Sequence, residues 1–238
     1  MQSHIPPECA RTAAIIGDEG VERLSRARVA VFGIGGVGGH AAEALARAGV
    51  GAIDLIDRDT VSLSNINRQA VALHSTVGRA KVDVMAERIR DIAPACLVKA
   101  HECFYLPETA DRFDLAQYDY VADCVDTVTA KIELAVRCAA TGTPLVAAMG
   151  AGNKLYPERL RVGDLFKTEV DPLARVMRRA LKARGIRHLT CVWSDEPPRP
   201  STVIGEDGRP APGSISFVPS AMGLIMAGEI IRSLSGIH

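Results

Sequence analysis

Residues 33–38, Gly-Ile-Gly-Gly-Val-Gly, constrain this chain more than any other segment. They follow a short β-branched run at 27–32 and lead into an alanine-rich stretch at 41–48 that Gly49 stops. A strand, a glycine turn and a helix in that order let backbone N–H groups approach a phosphate closely, and the helix N-terminus favours its charge. Gly33, Gly35, Gly36, Val37 and Gly38 are therefore candidate phosphate-binding residues. Asp57 ends a second strand pattern about 20 residues further on, where an acidic side chain accepts hydrogen bonds from ribose hydroxyls. On these residues alone the ligand is a mononucleotide or a dinucleotide, and NAD is the first one they suggest.

The pattern continues as alternating strands and helices. Residues 81–92 place Val82, Met85, Ile89 and Ile92 on one helical face, and Pro94 ends it. Strand patterns fall at 97–100, 120–124 and 144–148, with a helix at 130–140. Such alternation predicts a mostly parallel sheet covered on both faces. Beyond Gly150 the spacing changes. A strand is expected at 159–162 and a helix opens at Asp171-Pro172, with an N-cap and a proline at its first position, and closes at Gly185. A strand at 189–193, a Pro- and Gly-rich loop at 196–213 and an apolar helix at 220–234 follow. The fold class is α/β, doubly wound and Rossmann-like, with a smaller C-terminal extension. The expected divisions are an N-terminal arm and helix (1–26), an ATP-binding domain (27–150) and a substrate-binding, dimer-supporting region (151–238).

The segment after Asp57 weighs against a dehydrogenase. Residues 57–69, DRDTVSLSNINRQ, form a mostly polar segment. Arg68, Asn65 and Gln69 suit the oxygens of a triphosphate. Lys81 adds a point charge at a helix start, and Asp59 is either a turn cap or a functional carboxylate. Asp126 lies just past the fourth strand, at the sheet edge where open α/β sheets bind ligands, and suits Mg²⁺ held against phosphates.

Charge and cysteine usage narrow the classes. The 238 residues carry 28 basic and 28 acidic side chains, so the overall balance does not indicate a nucleic-acid binder. Residues 167–187 are locally basic. There Leu173, Val176, Met177, Ala180 and Leu181 form an expected apolar stripe, leaving Arg175, Arg178, Arg179 and Lys182 to face solvent or phosphate. No apolar run opens the chain, and 217–231 reads as too short and interrupted to span a bilayer, so no membrane partner and a cytoplasmic location are expected. The six cysteines include no CxxC pair. They are expected to be buried thiols, with Cys124 and Cys191 in the core, no structural zinc and no nucleophilic cysteine.

The glycine turn, then D-x-D-x-V-x-x-S-N-x-x-R-Q, then Lys81 and Asp126, resemble the ThiF/MoeB adenylyltransferases over residues 11–150. The resemblance implies ATP with Mg²⁺, ribose contact by Asp57, and phosphate contact by Asn65, Arg68 and Lys81. It implies that Asp126 is the catalytic metal-binding carboxylate, and that Arg11 reaches the partner subunit's ATP in a homodimer. Within the family, the segments 164–168, 171–176 and 213–228 resemble the tRNA threonylcarbamoyladenosine dehydratase branch. That branch implies tRNA as substrate, adenylation of its threonyl carboxylate and ring closure by the neighbouring ureido group. One alternative is adenylation of the C-terminus of a ubiquitin-like or sulfur-carrier protein, with a carrier protein or sulfurtransferase as partner. Another is an NAD-binding redox protein or sensor.

Overall fold

A computed structural model describes residues 5–204, 208 and 211–237. The first four residues of the expected arm and part of the Pro- and Gly-rich loop lie outside these. Chain order runs α1 (Ala10–Arg26), β1 (Arg28–Phe32), α2 (Gly38–Arg47), β2 (Ala52–Ile56), α3 (Lys81–Ile92), β3 (Leu97–His101), β4 (Tyr120–Asp123) and α4 (Val128–Thr141). It continues with β5 (Leu145–Ala148), β6 (Leu160–Asp164), α5 (Pro172–Lys182), β7 (Thr190–Ser194) and α6 (Phe217–Ser235).

The strands form one seven-stranded sheet in the order β3-β2-β1-β4-β5-β7-β6. All neighbours are parallel except β6 and β7. Successive side chains on a strand point to opposite faces, and β1 shows the consequence. Val29 and Val31 join a core with Leu55, Met85, Met222 and Ile230. Ala30 and Phe32 join a second core with Val121, Leu134, Met177 and Cys191. Helices α2, α3 and α6 supply the first core, and α4 and α5 the second. Between β3 and β4 there is no α-helix among the described residues. Aromatic residues cover that part of the second face instead, with Phe32 set edge-on to Tyr105 and Phe113 at 4.8 and 5.6 Å between ring centres.

The helix signals act where the sequence places them. Asp171 caps α5, its Oδ1 accepting from Ala174 N at 2.9 Å. Helix α2 starts at Gly38, ahead of the alanine run, because the last glycine of the turn already winds into it. Two expectations are corrected. Val176 is 49% exposed, and Ala174, Met177 and Leu181 form the buried stripe of α5. Helix α6 runs for 19 residues and is long and apolar enough, by length and composition, to cross a membrane. Here it packs on α1, α2 and β5, with Val218, Met222, Met226 and Ile230 fully buried.

β1 leads through α2 to β2 on one side, and β4 leads through α4 to β5 on the other. The chain thus diverges from the C-terminal ends of β1 and β4, which opens a crevice at that point of the sheet.

Candidate nucleotide-binding site

The crevice is a cavity of about 420 Å³, within the range of small-molecule sites. The glycine turn forms one wall. Gly33 has φ +86°, and a Cβ there would stand 2.7 Å from the Cys124 carbonyl oxygen. A Cβ at Gly38 would stand 1.8 Å from the Gly33 carbonyl oxygen. Side chains are therefore excluded at both, and the turn lies flat against the end of β4. Gly35, Gly36 and Val37 line the cavity itself. Gly38 stands behind the turn as its packing residue.

The charged residues converge from two connections, the one from β2 into the start of α3 and the turn between β4 and α4. Asp57 directly follows β2; its Oδ2 accepts from Ile34 N at 2.7 Å and its Oδ1 from Asp59 N at 2.8 Å. Burial pushes this carboxyl above its ordinary range, against the backbone donors and Lys81. Lys81 is buried, with Nζ 2.9 Å from Asp59 Oδ2, so it is no ordinary solvated helix lysine. Asp59 is its counter-charge. Arg68 Nη1 donates to Ser64 O at 3.0 Å and to Asn67 Oδ1 at 2.8 Å, holding the head at the cavity wall. Asp126 lines the opposite side, and its Oδ1 accepts from Thr127 Oγ1 at 3.3 Å.

Gln69 Oε1 and Tyr105 OH are buried without a hydrogen-bond partner, and both residues line the cavity. Buried polar atoms are nearly always satisfied, so these two, themselves closed off from the cavity, mark an incomplete polar wall and not a ligand contact. The Arg58 guanidinium carbon lies 3.9 Å from the Phe104 ring centre, and this pair forms an apolar and cationic shelf in the wall.

Other expected residues stand elsewhere. Asn65 is outside the wall; its Oδ1 accepts from Ser62 N at 3.2 Å and shapes the turn that presents Arg68. Arg11 is exposed on the first turn of α1, outside the cavity. Arg175, Arg179 and Lys182 are exposed on α5, whose first turn reaches the cavity through Leu173. Arg178 is not free as expected: it is half-buried, and its Nη1 donates to Thr168 O at 2.8 Å and to Thr168 Oγ1. Cys191 is buried in the core as expected, whereas Cys124 is a cavity-wall residue. All six cysteines are free thiols.

Sequence reading missed Phe104, Tyr105, the turn at 149–152 and the segment 212–214, all of which line the cavity. It also missed a buried ion pair beneath it, Asp123 with Lys131. None of these carries a local pattern, because each reaches the site through the fold.

A glycine turn, a carboxylate just past β2 and the cations Arg58, Arg68 and Lys81 at the switch point of a doubly wound sheet have the layout of a nucleotide-binding α/β protein. The model of the ThiF family matches residues 9–238, and the chain belongs to that family. It is 45% identical, over 94% of its length and 93% of the relative's, to the tRNA threonylcarbamoyladenosine dehydratase of Bacillus subtilis. Among solved structures it is similar to Escherichia coli tRNA N6-threonylcarbamoyladenosine dehydratase, TcdA, in complex with AMP. The TM-score is 0.89 at 37% identity, covering 96% of this chain and 94% of that one. The same protein in complex with ATP matches with a TM-score of 0.88 at the same identity and coverage.

Proposed function

We propose that this chain uses ATP to adenylate a carboxylate, and that the carboxylate is the threonyl group of threonylcarbamoyladenosine in tRNA. The observation that carries the nucleotide reading is the convergence of the glycine turn, Asp57, Arg68, Lys81 and Asp126 on one cavity. Two cations beside the turn favour a triphosphate over NAD. The relatives' names and their ATP and AMP complexes support the choice of substrate.

The chemistry asks little covalent work of the protein. A carboxylate oxygen of the substrate attacks the α-phosphorus and pyrophosphate leaves. The ureido group beside it then attacks the activated carbonyl, loses a proton and expels AMP. The net change is hydrolysis-equivalent cleavage of ATP and loss of the elements of water from the nucleoside. Because the substrate brings its own nucleophile, no cysteine is needed. The backbone of the glycine turn holds phosphate, Asp57 faces the ribose, and Arg68 and Lys81 neutralise charge that grows at the phosphates. Among the described residues no three His, Cys, Asp or Glu side chains gather closely enough to hold a metal alone. Asp126 is the residue that would hold Mg²⁺, which would supply further charge neutralisation at the phosphates.

Two further readings belong here. The chain acts as a homodimer in which Arg11 serves the partner's nucleotide; its exposure at the start of α1, near Ile15 at 83% exposed, supports this. Arg175, Arg179 and Lys182 form a tRNA-phosphate surface leading from the cavity, which fits residues 151–238 as the substrate-binding region.

The test is incubation with ATP, Mg²⁺ and bulk tRNA, followed by mass spectrometry of the nucleosides. The expected result is threonylcarbamoyladenosine lighter by one water, with AMP formed in step. AMP formation only with a carrier protein ending in Gly-Gly, and unaltered tRNA, would replace the tRNA reading with the carrier one.

A further inference from the structure

Asp123 and Lys131 form an ion pair 3.0 Å long, and their side chains are 1% and 0% exposed. Removing two such charges from water is expensive, and apolar residues of similar volume often hold a fold as well or better. The pair therefore needs a reason other than stability. Asp123 is the last residue of β4, and Lys131 lies in the first turn of α4. Between them runs the turn that carries Asp126.

Lys131 grips that turn. Its Nζ also donates to Val125 O at 3.2 Å, while Val125 N donates to Asp123 Oδ1 at 3.3 Å. Together with the ion pair, these contacts close a ring around residues 123–125. The other side of the turn bears on the glycine loop. Cys124 N donates to Phe32 O at 2.8 Å, and the Cys124 carbonyl is the group that leaves no room for a Cβ at Gly33. Val125, Asp126 and Thr127 line the cavity, and Lys131 does not.

We propose that Lys131 is a positioning residue. From beneath the cavity it fixes the turn at 123–126, and through that turn it sets both the direction of the Asp126 carboxylate and the seat of Gly33 against β4. Methionine at 131 would fill most of the volume but leave Asp123 and Val125 O without their cation. Arginine would keep the charge and the donors. The link to ATP rests on the nucleotide reading of the cavity; the link to the turn does not.

The experiment compares the full-length wild type with Lys131→Met, Lys131→Arg and the double variant Asp123→Asn/Lys131→Met. Each is measured by thermal melting, by hydrogen exchange resolved to peptides and by calorimetric titration with MgATP. In Lys131→Met, the amides of residues 123–127 should exchange faster while those of β1, β2 and β5 keep wild-type protection. The Kd for MgATP should rise about tenfold, the smallest cost typical of losing support behind a metal ligand. Lys131→Arg should recover both properties. The double variant buries no unpaired charge, so it separates positioning from the penalty of an orphaned carboxylate, and it should still show both defects. It also carries the comparison if Lys131→Met alone does not fold. Wild-type exchange at the turn in the double variant would overturn the proposal, as would faster exchange spread evenly over the sheet. Absence of ATP binding by the wild type would overturn the nucleotide reading instead, and exchange at the turn would still decide the role of Lys131.

Discussion

Asp54 and Asp123 are both aspartates on interior strands of the sheet, and both are buried, yet their surroundings treat them oppositely. Asp54 on β2 accepts from Arg28 Nε at 3.0 Å and Nη2 at 2.9 Å, and from Tyr118 OH at 3.1 Å. His101 Nε2 stands 3.0 Å away. Burial alone would raise this carboxyl, but Arg28, His101 and Tyr118 outweigh it and hold it below the ordinary range. Asp123 has one cation and one backbone amide, and there burial wins and pushes the carboxyl up. The difference is the number of donors, and it follows location. The Asp54 cluster lies on the part of the sheet covered by aromatics, outside the cavity. Asp123 lies under the cavity, and its Oδ2, though ion-paired, is one of three buried side-chain polar atoms without a directional hydrogen bond among the described residues. The other two, on Gln69 and Tyr105, belong to cavity-lining residues. The polar network is complete in the Asp54 cluster and incomplete in and beneath the cavity wall.

This contrast predicts separable losses. The largest is in stability: Asp54→Ala leaves Arg28 without its partner and should cost about 3–5 kcal/mol, as for breaking a buried pair. Urea unfolding measures it, and the folded fraction should bind ATP as the wild type does. Weakened ATP binding in that fraction would mean the two regions are coupled.

Asp126→Ala should do the reverse. AMP formation should fall about 10²–10³-fold or more, the cost of removing a group that controls transition-state charge, with melting unchanged. A lowered melting temperature would move Asp126 into the fold-supporting class. Mixing Asp126→Ala with Arg11→Ala protomers tests the dimer reading as well. If Arg11 serves the partner's site, random exchange should restore activity at about a quarter of the sites. No restoration would confine Arg11 to its own subunit or to neither site.

Acid should sharpen the same comparison. Because the Asp54 carboxyl is held below its ordinary value of 3.8, its contribution is complete above that pH and disappears as pH falls through the lower folded value. Wild-type urea midpoints should therefore drop more steeply below the ordinary value than those of Asp54→Asn. Parallel curves would remove Asp54 from the acid response.

The smallest effects concern charges that are not buried. Arg175→Glu with Arg179→Glu should weaken tRNA binding and lower the log–log salt slope by about 0.7–0.9 for each phosphate the variant no longer neutralises. ATP affinity should stay constant. Arg178→Glu should instead lower stability, because its guanidinium is committed to Thr168. Unchanged tRNA affinity in the first variant would leave α5 a merely solvated face.

Much of the scaffold was legible because its signals are local. Residues 81–92 repeat every three to four positions and form α3 over that span. Asp171-Pro172 opens α5 because cap and proline act within one turn. The glycine turn, Asp57, Lys81 and Asp126 could be placed at the cavity because each follows the end of a strand or opens a helix, and Arg68 because it belongs to the polar segment after Asp57. The failures share one cause. Val176 fits an apolar stripe by spacing, but only the packing of α4 and α5 decides which side of the helix is covered. Arg178 looks like its neighbours until Thr168 is brought within reach.

By itself the sequence determined the alternation of strand and helix, the glycine turn and the residue types at the sheet edge. Period, steric freedom and capping operate over a few residues and need no partner. Only the tertiary structure decided that Lys81 would be buried against Asp59, that Asp54 would gather Arg28, His101 and Tyr118 from three separate segments, and that Asp123 would be left with Lys131. Burial and donor count depend on contacts between residues far apart in the chain. Those contacts set whether a carboxylate holds the fold together or stands ready beneath a ligand.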